Sequence, residues 1–256
     1  MAEVQSARRA GCEPGDVSDV GIMRRAFGSV PGRGVASPTV AKLLTEFIGT
    51  FFLVLTVLLV ASSGSPTAVI AIGLILMAMT YMGGHVSGGH YNPAVTLAVA
   101  VAGRLSGRDF IGYVVSQTLA AVAAAFAAFA CVGKPSAPSL GPGVHVGPAL
   151  VVEFLFTFAI ALVYLNVMCS ARAAGKGFHG LAVGGSVVAA TYAGGAISGG
   201  AFNPAVGLCP SLVQSLLGSG NLSNVWIYLV GPLLGAMGAA FAFKLQEDVQ
   251  DDESED

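Results

Sequence analysis

Ser87-Gly88-Gly89-His90-Tyr91-Asn92-Pro93-Ala94-Val95 returns almost unchanged later in the chain as Ser198-Gly199-Gly200-Ala201-Phe202-Asn203-Pro204-Ala205-Val206. Each copy reads as a glycine-rich turn, an Asn cap, a Pro at the first helical position and then a helix. Asn is a strong N-cap because its side-chain oxygen satisfies an orphan backbone N–H. Pro fits the next position because no N–H is needed there. Both copies sit in apolar surroundings, so each marks a helix that starts inside a greasy environment.

Composition says which environment. Of 256 residues, 54% are hydrophobic and only 10% are charged. No Asp, Glu, Lys or Arg occurs between Glu46 and Arg104, or between Lys176 and Lys244. A membrane-spanning helix needs about 20 apolar residues. Each gap therefore holds two spans and leaves a shorter piece, and the repeated motif falls in that piece both times. The expected spans are about 40–62, 67–84, a third from Asp109 to about Val132, then 148–169, 179–197 and 225–245. Short helices are expected at about 92–102 and 203–216. The fold class is thus an all-α membrane protein: six transmembrane helices plus two re-entrant half-helices.

The halves, about 40–132 and 148–245, repeat. Glu46-Phe-Ile-Gly-Thr-Phe51 matches Glu153-Phe-Leu-Phe-Thr-Phe158, and the glutamates and the motif asparagines are separated by nearly the same number of residues. Three spans per half is an odd number, so the second half enters the membrane from the opposite face, which makes an inverted repeat. The two helix starts are expected to meet near the bilayer midplane.

Around this channel domain, 38–246, lie two tails. Residues 1–37 carry Arg8, Arg9, Arg24, Arg25 and Arg33 and are expected to be disordered. Residues 247–256 are mostly acidic, and like-charge repulsion predicts disorder there too. Ser254 is a candidate phosphorylation site. No apolar core of a cleaved secretory signal precedes the first span. Lys and Arg cluster at the tail, 104–108, 172–176 and Lys244, against Lys134 alone on the other side, which places both termini in the cytoplasm. The net charge of −2 and the lack of a basic stripe argue against nucleic-acid binding. Cys12, Cys131, Cys169 and Cys209 show no CxxC spacing and read as small buried hydrophobes rather than disulfides or metal ligands.

Non-helical backbone at membrane depth survives only where protein buries it or water bathes it. The Ser-Gly-Gly turns therefore face a wet path or a polar packing partner. Two helix N-termini aimed at one point each present roughly half a positive charge, which opposes cations and protons. Asn92 and Asn203 offer side-chain N–H donors to a passing solute. Glu46 and Glu153 are ionisable groups inside spans, which face the bundle interior and have a role by default. Accepting N–H groups from the re-entrant loops is preferred to a proton relay, because a symmetric pair matches two loops that need anchoring.

At these residues the chain resembles the major intrinsic protein family, the aquaporins and aquaglyceroporins, over about residues 40–245. The resemblance rests on the two Asn-Pro-Ala motifs (Asn92, Pro93, Ala94; Asn203, Pro204, Ala205), the preceding Ser-Gly-Gly, Glu46, Glu153, Gln117 and Gly231-Pro232. It implies a homotetramer with one pore per subunit, passive conduction of water and small neutral solutes, and no cofactor or enzymatic activity. It also implies that His90 offers polar contacts at the cytoplasmic pore mouth. His85 and His90 match the family pattern, so a metal site is not expected.

The departures concern selectivity. Family members usually carry Arg directly after the second motif, where this chain has Val206. The other positions of that constriction fall on Ile72, Thr191 and Gly200. The ring is small, uncharged and mostly apolar, where water-selective members usually have a bulky aromatic and a His. Val206 is similar to some plant tonoplast intrinsic members, which pass urea, glycerol, ammonia or hydrogen peroxide with water, and it favours a vacuolar over a plasma membrane. The Asp of typical glycerol facilitators is replaced by Gly207. The usual mercury-sensitive cysteine position corresponds to Gly200, so block by mercurials should be weak unless Cys209 reaches the pore. His179 reads as an interfacial residue rather than a pH gate. Asn221-Leu-Ser223 is a glycosylation sequon in a short loop near the membrane. Two rival readings are a closed-pore protein of membrane contacts and a proton-coupled transporter using Glu46 and Glu153.

Overall fold

The computed structural model describes residues 37–252 apart from 66, 174 and 219. The readings on residues 1–36 and 253–256, including Cys12 and Ser254, lie outside the described residues. The helices are α1 (Pro38–Ala61), α2 (Ala68–Ser87), half-helix α3 (Pro93–Val101), α4 (Gly107–Val132), α5 (Val146–Tyr164), α6 (His179–Ser198), half-helix α7 (Pro204–Leu216) and α8 (Ile227–Asp252). A π-helical segment, Leu165–Cys169, continues α5. Among the described residues, six helical segments are long and apolar enough to cross a membrane: Pro38–Ser63, Ala68–Ser87, Gly107–Val132, Val146–Cys169, His179–Ser198 and Ile227–Glu247.

Local chemistry sets the ends. Pro38 opens α1 behind the Ser37 cap, and the Ser106 hydroxyl accepts from Asp109 N–H at the start of α4. α2 runs past the expected end at 84, because Gly83 and Gly84 continue the helix and the break comes at Gly88. There φ is 93°, a left-handed value open to glycine, and the Gly88 N–H caps the Gly84 carbonyl at 3.0 Å. Gly199 ends α6 in the same way, with φ 89°.

Packing repeats across the halves. α1 lies against α2 and α4, as α5 lies against α6 and α8. α2 and α6 cross at Gly73 and Gly184, where a Cβ on either residue would meet the carbonyl of the other. Small residues at such a crossing let helix backbones approach in lipid. The half-helices exchange partners: α3 packs on α8 and α7 on α4. Each half thus seats the other's broken span, which brings both helix starts to the middle.

One face carries both ends of the described chain. There Lys42 pairs with Asp109 at 3.2 Å, Arg104 grips Glu247 through contacts of 2.7 and 2.9 Å, and Asn166 donates to Gln246 at 3.0 Å. These contacts correct the expectation for the acidic tail. Residues 247–252 continue α8, because extending a formed helix costs far less than nucleating one and Arg104 offsets the charge of Glu247. The cysteines also differ from expectation: Cys209 is buried, Cys169 is partly covered and Cys131 is exposed near the end of α4. On a helix apolar enough to span a membrane, a small apolar side chain does not need burial within the protein.

Candidate functional site

Each re-entrant turn closes on a buried glutamate. Glu46 Oε1 accepts from the Ser87 hydroxyl at 2.7 Å and His90 N–H at 2.9 Å. Its Oε2 accepts from Tyr91 N–H at 2.8 Å and the Gln117 amide at 2.8 Å. Glu153 accepts from the Ser198 hydroxyl, Ala201 N–H and Phe202 N–H at 2.6, 3.0 and 2.6 Å. The side chains are fully buried, and each of these contacts has the glutamate as acceptor. Backbone N–H groups that a helix would otherwise satisfy are satisfied here by a side chain from a neighbouring span.

The residues ahead of the motif asparagines pay for the tight turn. Tyr91 and Phe202 hold φ of 49° and 48°, left-handed values that cost a residue with a Cβ about 1–2 kcal/mol. Their N–H groups are the ones held by Glu46 and Glu153, and both rings are buried. Tyr91 fills space left by Gly49 and Gly83, where a Cβ would collide with its ring and hydroxyl.

Asn92 and Asn203 cap their own helices through Oδ1, which accepts from Ala94 N–H at 2.8 Å and Ala205 N–H at 2.9 Å. Their amides cross over. Asn92 Nδ2 donates to the Phe202 carbonyl at 3.0 Å and Asn203 Nδ2 to the Tyr91 carbonyl at 2.9 Å. One N–H of each amide thus ties the loops together, and both asparagines also line the inner cavity.

Tyrosines hold the turn carbonyls. Tyr113 donates to Ser87 O at 2.7 Å and Tyr228 to Ser198 O at 2.5 Å, one from each half. Tyr164 donates to Gly88 O at 2.7 Å. His90 Nδ1 lies 3.1 Å from the Thr96 hydroxyl oxygen. That hydroxyl donates to Asn92 O and accepts from Gln117 Nε2. Its one proton being used, the network assigns Nδ1 as the donor and leaves Nε2 as the acceptor in neutral His90.

Two cavities adjoin these turns. The inner one is lined by both motif asparagines and by Ile72, Thr191, Gly200 and Val206, so the structure brings all four filter positions together beside the helix starts. Its remaining walls are mainly aliphatic, and no Asp, Glu, Lys or Arg lines it. The other is a vestibule on the face of the chain ends, lined in part by Lys42, His85, Arg104, Asp109 and His179. His90 and Tyr164 line both.

The family model for the major intrinsic proteins matches residues 33–243. The chain belongs to this family. Aquaporin NIP1-4 of Oryza sativa subsp. japonica is 38% identical over 213 residues, covering 79% of this chain and 76% of that protein. A glycerol uptake facilitator protein-like 6 from Lactiplantibacillus plantarum is 35% identical, covering 80% of this chain and 97% of the relative. Nodulin-26 of Glycine max is 32% identical, with 82% and 79% covered. Among solved structures, the aquaglyceroporin from Plasmodium falciparum superposes with a TM-score of 0.74 at 19% identity, covering 83% of this chain and 99% of that one.

As a major intrinsic protein the chain has its own fittings. Gly207 lies under Tyr228, where a Cβ would collide with the tyrosine side chain. An Asp at this position cannot coexist with that tyrosine as placed. Cys209 packs in the apolar cluster with Val213 and Tyr228 and is not among the inner-cavity residues. Among the described residues, no three His, Cys, Asp or Glu side chains come together. His179 stacks edge-on against Tyr81 at 5.0 Å, and Asn221 Oδ1 accepts from the N–H and hydroxyl of Ser223. Sequence reasoning missed Tyr113, Tyr228 and Tyr164. The first two occupy matching places in the repeat, a signal that aligning the halves would expose; Tyr164 has none.

Proposed function

We propose that this chain is a passive channel for water and small neutral solutes, glycerol and urea among them. One observation carries this reading: a single cavity holds both helix starts and all four filter positions, with no charged side chain on its wall. Solute passes Ile72, Thr191, Gly200 and Val206, then Asn92 and Asn203, then His90. The half-helix N-termini present roughly half a positive charge each between low-dielectric walls, which opposes cations and protons. Glu46 and Glu153 anchor the loops; their oxygens are occupied by donors, which disfavours the proton-relay rival.

The relatives' names support the same class of solute: aquaporin and glycerol uptake facilitator. The plant relatives named above carry NIP and Nodulin-26 names and not tonoplast ones, so the reading of a tonoplast-like filter rests on Val206 alone. We read that filter as broad. The face of the chain ends lies in the cytoplasm, since Arg104, Arg108, Arg172, Lys176 and Lys244 gather there. A homotetramer, and a vacuolar or plasma membrane, complete the proposal.

Stopped-flow light scattering on proteoliposomes tests it. Water, glycerol and urea fluxes should all exceed those of empty vesicles, with no rise in proton leak. Flux equal to that of empty vesicles for all three solutes rejects the channel and favours the closed-pore rival.

A further inference from the structure

The resemblance assigns selectivity to the ring at Ile72, Thr191, Gly200 and Val206. That ring contains a glycine and three β-branched side chains smaller than an aromatic. A different place separates the two cavities. The residues that line both are His90 and Tyr164. Their rings meet edge to face with centroids 5.4 Å apart, and Tyr113 closes on the other side of His90 at 5.1 Å.

The inverted repeat supplies an internal control. Eleven positions after Glu153 stands Tyr164, and eleven after Glu46 stands Val57, which also lines the inner cavity. α1 runs straight through Val57 to Ala61. α5 instead passes at Tyr164 into the π-helical segment Leu165–Cys169. Such segments are frequent at functional sites, and this one falls where the halves differ. The Tyr164 hydroxyl is spent on the Gly88 carbonyl at 2.7 Å and the residue is 1% exposed. Burial and the neighbouring His90 ring hold the phenol in place, with this bond in addition.

We propose that Tyr164, set against His90, is the size sieve of this channel, so that the solute cut-off is decided on the vestibule side rather than at the ring around Val206. The inference rests on the channel reading. The pinned phenol narrows the junction of the cavities, and a valine there, as in the other half, widens it.

Proteoliposomes carrying wild type, Y164V and Y164F are compared for water, glycerol, erythritol and xylitol flux. Y164V should raise erythritol flux relative to water by about tenfold, the order that one methylene group is worth in a confined site. Y164F keeps the ring and should keep the wild-type cut-off. If Y164V is not recovered folded, Y164L carries the same expectation. An erythritol-to-water ratio in the valine or leucine variant equal to wild type overturns the sieve, and so does an equal gain in Y164F. Wild-type vesicles that pass neither water nor glycerol sink the channel reading itself, a different result from an active channel whose cut-off ignores residue 164.

Discussion

Asn92 donates through Nδ2 to the carbonyl oxygen of Phe202, 3.0 Å away in the other half of the repeat. Asn203 makes the reciprocal bond to Tyr91. Each motif asparagine is at once a cap for its own helix and a strut for the opposite loop. The two functions use different atoms, so they can be separated by substitution.

N92D keeps an oxygen for Ala94 N–H but points an acceptor at the Phe202 carbonyl. Losing the strut should cost about 1–3 kcal/mol, the usual penalty for a buried polar group left without its partner. Thermal unfolding of the solubilised protein reads this directly. The new carboxylate should also raise cation leak through vesicles. Unchanged stability together with unchanged leak would show that the strut and the central field do not matter.

The glutamates give the second prediction. In E46Q an NH2 group replaces an oxygen that now faces donors, leaving at least one of four unmatched. A hydrogen bond to a charged group contributes about 1.5–3 kcal/mol, so E46Q should fall in stability by that order, and E153Q likewise. Neither should abolish a pH-driven uptake, because none is expected in wild type. Solute accumulation driven by a proton gradient, lost in E46Q while the protein stays folded, would reinstate the transporter reading.

These contacts show what a sequence discloses and what it hides. The two helix starts are legible because Asn and Pro act on their own local backbone, and the spans because lipid excludes charge over long intervals. Glu46 and Glu153 stand out as the only acidic residues within their spans. Their donors, by contrast, come from turns and helices more than forty residues away. The asparagine struts, the phenols on Ser87 and Ser198, and the meeting of Tyr164 with His90 depend on how the halves interlock, and no periodicity reports that. The continuation of α8 past Glu247 was hidden because its charge pattern argues for repulsion while its stabiliser, Arg104, lies in another loop.

Gly207 yields a third prediction. A typical glycerol facilitator has Asp here, yet any Cβ would strike Tyr228, whose hydroxyl holds the Ser198 carbonyl. G207D should therefore lower folded yield and all solute fluxes rather than shift the channel toward glycerol. Measuring glycerol and water flux per folded molecule decides it, a rise in glycerol alone being the contrary outcome.

Val206 lines the inner cavity beside Asn203. An arginine there brings a large side chain and five donors into a ring otherwise formed by Ile72, Thr191 and Gly200. V206R should cut glycerol and urea flux about tenfold, comparable to the effect of small steric changes in confined sites, while sparing water. Equal glycerol flux in V206R and wild type would remove residue 206 from the filter.

Mercurial block tests where the cysteines lie. Cys209 is 2% exposed and packed beside Val213 and Tyr228, and it is not among the residues that line the inner cavity. A thiol so placed is slow to meet a hydrated mercurial, and wild-type water flux should be insensitive to it. Gly200 lines the cavity, so G200C should create sensitivity even though its φ of 68° makes a side chain strained there. Tyr91 and Phe202 adopt similar angles with far larger side chains, which argues that the turn can hold a cysteine. Reducing agent should restore flux in blocked G200C. Strong block of wild type that disappears in C209S would instead put Cys209 on the water path and redraw the inner cavity around α7.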